Sequence, residues 1–144
     1  MPIPEEACYR LQVAEGFLQE AREDIELRRW RSCADNSQLA AELAAKAVLG
    51  LLAPVGRTHQ PSVFLRDALQ QNLFPAAVRG QVERLAECAE FLGPEVHIKS
   101  DYGDEEARRT PWELFTEVDA RQALSLAEEA VSLAARMVER GLER

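Results

Sequence analysis

Between residues 120 and 138, six apolar side chains (Ala120, Leu124, Ala127, Val131, Ala134 and Val138) follow one another at steps of 4, 3, 4, 3 and 4. That spacing gathers them on one stripe of an α-helix, whereas a pleated strand would scatter them over both faces. The rhythm recurs at Leu11, Ala14, Leu18, Ala21 and Ile25, and again at Val78, Val82, Leu85, Ala89 and Leu92. Each stripe must be buried, and with no competing strand pattern the only available partners are the other stripes. The expected fold is all-α: an antiparallel up-down bundle of four main helices plus one short helix. The 144 residues make one domain, 1–144, large enough for a core without disulfide or metal staples.

Punctuation sets the expected boundaries. Pro4 opens a first helix that runs to about Arg29, and after the RRWR break a second spans about Cys33 to Leu52, stopped by Pro54 and Gly56. A short third helix fits residues 62–73, and a fourth starts at Pro75 and stops at Gly93-Pro94. Residues 95–115 read as a long irregular stretch. Thr116 with Asp119 looks like a capping box for the last helix, and Gly141 suits its C-terminal cap.

The formal charge of −8, from 17 basic and 25 acidic residues, argues against duplex DNA as a main partner, because such binding rests on Lys and Arg neutralising phosphates. A local basic pocket remains compatible with it, and Arg28, Arg29 and Arg31 form one cluster, Arg108 and Arg109 another. Cys8, Cys33 and Cys88 are odd in number, far from C-x-x-C spacing and set in helical patterns. They read as small apolar residues of a reducing compartment. No signal peptide is visible, and no stretch reaches the roughly 20 apolar residues a membrane span needs, so the expectation is a cytoplasmic protein without membrane contact.

The second helix holds the feature that points to function. Arg31, Asp35, Gln38, Glu42 and Lys46 fall at steps of 4, 3, 4 and 4 along one narrow face, on a helix that from Ala40 to Leu52 is otherwise almost all Ala, Leu and Val. Lys46 is one of two lysines against fifteen arginines. Two readings stay open. The strip is a solvated helix edge, or it lines a groove in which Lys46 serves an anionic ligand and Glu42 holds it in place.

This segment, Gln38-Leu39-Ala40-Ala41-Glu42 followed by Lys46-Ala47-Val48, resembles the Q-Q-A-A-E-x-x-x-K-A-L helix of HEPN domains, which are small helical bundles. The flanks are similar too. An acidic first helix precedes it, His59 follows before the third helix, and Asp101-Tyr102-Gly103-Asp104 stands where the family has an R-Y-P-D-like element. Phe115-Thr116 then opens a last helix containing ALSLAEEA. The sequence departs from the pattern at Leu39, in place of a second glutamine, and at Asp101, where the family's arginine becomes an acid. The resemblance implies a nucleotide or RNA-like ligand near Gln38, Glu42, Lys46, His59 and Tyr102. It also implies a homodimer, and a minimal nucleotidyltransferase as protein partner in a toxin–antitoxin or defence setting.

Many HEPN proteins, which this chain resembles, are metal-independent ribonucleases with four to six residues between an arginine and the histidine that follows it. Here the nearest arginine before His59 is Arg57, with only Thr58 between them, and the nearest before His97 is Arg84, thirteen residues away. With that motif absent, the expectation is a non-catalytic protein with no catalytic residues, no cofactor and no metal. A ribonuclease using His59 or His97 in an atypical setting, and a purely structural dimerisation module, are the alternatives. His97, Asp101 and Asp104 make only a weak metal set on sequence, and Trp112 is expected to pin the long loop to the body.

Overall fold

The computed structural model describes residues 3–142, and among these there are seven α-helices and no strand. They are α1 (Glu5–Glu26), α2 (Trp30–Leu49), α3 (Pro61–Gln70), α4 (Arg79–Phe91), α5 (Pro94–Tyr102), α6 (Pro111–Leu114) and α7 (Glu117–Arg140), with a single 3₁₀ turn at Ala76–Val78. Every stripe read from the sequence is inside. Leu11, Ala14, Leu18, Ala21 and Ile25 of α1, Val82, Leu85 and Ala89 of α4 with Leu92 just after it, and Ala120, Ala127, Val131, Ala134 and Val138 of α7 are buried, whereas Val78 and Leu124 are half-exposed.

α2 is the axis of the bundle and touches α1, α3, α4, α5, α6 and α7. Its alanines explain how one helix can have so many neighbours. Ala40, Ala41, Ala44, Ala45 and Ala47 are completely buried, and a methyl group on each side lets the surrounding helices approach closely. Larger side chains from the neighbours fill the remaining space: Leu65 of α3, Leu85 of α4 and Met137 of α7 are all essentially inaccessible. Residues 27–29 alone connect α1 to α2, so the pair must run antiparallel. Arg28 takes a positive φ of 58° in that link, and the buried carboxylate of Asp24 ties the corner by accepting hydrogen bonds from Ser32 and Asn36, each at 2.8 Å.

The stretch 95–115 differs from expectation, because it contains two of the helices. Gly93 and Pro94, read as a stop, form the N-cap and first residue of α5. Pro111 likewise opens α6 behind a capping box between Thr110 and Glu113. Proline ends the helix before it but suits the first turn of the one after, where its missing N–H is not needed. Between them, Asp104 and Arg109 exchange two backbone hydrogen bonds of 2.9 Å, which closes the loop.

The second capping box is found where the sequence put it. Thr116 Oγ1 accepts from Asp119 N–H at 3.3 Å, and the Asp119 carboxylate accepts from Thr116 N–H at 2.9 Å. Thr116→Ala leaves an N-terminal donor of α7 without its partner, and the expected result is a loss of about 1 kcal/mol of stability in urea denaturation. Gly141 ends α7 with φ 72°. Cys33 and Cys88 are buried, and burial pushes both thiols up to about 11, so they are packing groups rather than nucleophiles. No described helix is long and apolar enough to cross a membrane.

Candidate functional site

The polar line on α2 is not a solvated edge. Gln38 is 1% exposed and Glu42 7%, and the side chains of Asp35, Arg31 and Lys46 are all more than half-covered. What covers them is α5 at one end and the loop before α3 at the other. Burying ionised groups is costly unless each finds a partner, and the strip meets that requirement in two separate clusters. Gln38 Nε2 donates to Glu42 Oε1 at 3.0 Å, and Glu42 Oε2 lies 3.2 Å from Lys46 Nζ and 3.3 Å from His59 Nδ1. Asp35 Oδ1 lies 3.2 Å from His97 Nδ1, and the other ring nitrogen of His97 lies 3.5 Å from Asp101 Oδ2. Arg31 donates to the Ser100 carbonyl at 2.8 Å and lies 3.8 Å from Asp101 Oδ1.

Glu42 therefore gathers Gln38, Lys46 and His59 into one cluster. His59 is its open member, with a side chain 84% exposed, whereas Lys46 is spent largely on Glu42. Tyr102 does not join them. It is the last residue of α5 and is 66% exposed. Asp104 also stands apart from the imidazole of His97, and its carboxylate caps the N–H of Ala107 in the loop. Its place beside His97 is taken by Asp35, 62 residues earlier in the chain.

A second feature was legible in the sequence only as a charge cluster and a helix break. Arg28, Arg29, Trp30, Arg31 and Ser32 meet Trp112 and Phe115 around an open cleft of about 510 Å³. Trp112 is not a buried pin, being 73% exposed, and its ring carries the Arg31 guanidinium at 5.7 Å. Arg28 and Arg29 are exposed and have no ion-pair partner among the described residues. The cleft lies at the start of α2, where no side chain caps the helix and no acid stands in the first turn. A bare helix N-terminus favours negative charge, and three arginines add to it. The alternation of basic and aromatic residues in RRWR was the available signal. Sequence alone could not bring Trp112 to it.

The comparisons agree with this architecture. The family model described as HEPN domain matches residues 7–138. Among solved structures, ST0689, an archaeal HEPN homologue, is similar at 25% identity with a TM-score of 0.69, covering 92% of this chain and 98% of its own. TT1696 from Thermus thermophilus shares the fold at 21% identity and a TM-score of 0.68, covering 91% of this chain and 97% of its own. No curated protein matches the chain. A family match over most of the sequence, on a fold built around the same polar α2 strip that carried the resemblance, shows that this chain belongs to the HEPN domain family.

Proposed function

We propose that this HEPN-domain protein is a non-catalytic binder of a nucleotide or RNA-like anion. The cleft of Arg28, Arg29, Arg31, Trp30 and Trp112 is its main contact surface. The observation that carries this reading is the meeting of Arg28 and Arg29, without ion-pair partners among the described residues, with an exposed tryptophan and an uncapped helix start on a chain whose net charge is −8. Phosphate groups suit the arginines and the helix start, and the face of a base suits an exposed indole, where stacking contributes about 1–3 kcal/mol per base. The Gln38–Glu42–Lys46–His59 cluster then has a mainly structural task at its buried end, and a ligand reaches it only through exposed His59.

The test is fluorescence anisotropy with short single-stranded RNA and with nucleoside monophosphates and triphosphates. The reading expects Trp112→Ala and the double variant Arg28→Ala/Arg29→Ala each to weaken binding at least tenfold, with the RNA affinity falling as salt rises. Lys46→Ala is expected to change it less than threefold. Loss of binding in Lys46→Ala alone would move the ligand to the strip, and no binding to any probe would overturn the reading. Cleavage of the RNA by the wild-type protein would bring back the ribonuclease alternative.

A protein partner, such as a minimal nucleotidyltransferase, is the second reading. Exposed Phe64 and Leu73 favour it, since they line one groove with residues 53–58 of the loop that carries His59. Co-purification with the partner, lost in Phe64→Glu, is its expected signature.

A further inference from the structure

We propose that Asp35, His97 and Asp101 form a binding site for a zinc-class divalent cation, clamped between α2 and α5. One ligand atom from each of the three lies within 4.8 Å of the others. His97 and Asp101 are four residues apart on α5, so both side chains leave the same face of that helix, and Asp35 faces them from α2. An imidazole nitrogen with two carboxylate oxygens is a donor set for zinc, manganese or iron, with bonds of about 2.0–2.2 Å to a zinc ion. The His97 and Asp101 side chains are 48% and 37% exposed, so they can turn to close on an ion that enters from solvent and keeps bound water.

The supports behind the three donors are also those a metal site needs. Asp35 stands on the most fully enclosed helix of the fold. α5 is anchored next to it by the Arg31 bond to the Ser100 carbonyl at 2.8 Å, with Ser100 itself fully buried. Arg31 approaches the Asp101 oxygen that is not turned toward His97, which holds that carboxylate in orientation. Two carboxylates with this one guanidinium nearby leave a net negative charge for a dication.

The experiment is a thermal-shift titration of the metal-stripped, untagged protein with Zn²⁺, Mn²⁺ and Mg²⁺, beside visible absorption of the Co²⁺ form. Binding to the native state alone is expected to raise the Tm by several degrees with Zn²⁺ and less with Mg²⁺. Asp35→Asn, nearly isosteric and therefore safe for folding, is expected to abolish the shift and the cobalt band, as is His97→Ala. Lys99→Ala on the same helix retains both. No stabilisation and no cobalt band in the wild type would overturn the proposal and leave an Asp–His–Asp ion pair. A shift that survives in Asp35→Asn and His97→Ala would overturn it too, by placing the metal elsewhere.

Discussion

Glu42→Ala is expected to destabilise the fold by about 3 kcal/mol, the largest effect of any single polar substitution in the bundle. The carboxylate is 7% exposed and serves three groups at once: the Gln38 amide, the Lys46 ammonium and the His59 ring. Removing it strands Lys46, whose side chain is 14% exposed, without a counter-charge. It also leaves the buried Gln38 amide without its acceptor. An uncompensated buried charge costs far more than the pair contributes relative to apolar residues. The double replacement Glu42→Leu/Lys46→Met should therefore recover most of the loss. Guanidinium denaturation of the three proteins measures this. At about 2–4 °C per kcal/mol for a chain of this size, the single variant should melt roughly 6–12 °C lower. If Glu42→Ala and the double variant were equally unstable, the carboxylate would be acting through shape and not through charge.

Gly103→Ala is expected to cost a similar amount, about 3 kcal/mol, by a different route. Gly103 follows α5 with φ 73° and ψ −152°, a region open essentially to glycine alone. It is buried, and a Cβ there would overlap the carbonyl oxygen of Arg109 and press on Pro111, 3.0 Å away. Both obstacles are backbone or ring atoms that cannot turn aside. The Asp104–Arg109 pairing must then open, and with it goes the placement of α6 and Trp112. Beyond the lower Tm, hydrogen exchange should show residues 103–114 losing protection ahead of α1, α2 and α7. A uniform loss of protection over the whole chain would contradict the local account.

These two residues mark opposite limits of what could be read in advance. Glu42 was conspicuous as a charge on an apolar helix, and its partners Gln38 and Lys46 stand at helical spacing, so that half of the site was legible. Helical spacing could not tell whether the face was open or covered. The covering element, α5, holds to α2 largely through Arg31, Asp35, His97 and the Ser100 carbonyl. Apolar periodicity does not register an element docked through polar groups, which is why residues 95–115 read as irregular. Gly103, in turn, reads in the sequence only as one of seven glycines, since its strained angles exist to let two strands of loop backbone meet.

The sequence by itself determined the helical class, the burial of its apolar stripes, the capped start of α7 and the family resemblance. All of these depend on local spacing, which the regular geometry of a helix converts directly into faces. Only the tertiary structure decided that Asp35 and not Asp104 meets His97, that Trp112 joins the arginines of the α1–α2 corner, and that Tyr102 faces solvent. Those are contacts between residues tens of positions apart, set by how closely an alanine-lined α2 lets its neighbours approach. No local pattern encodes that distance.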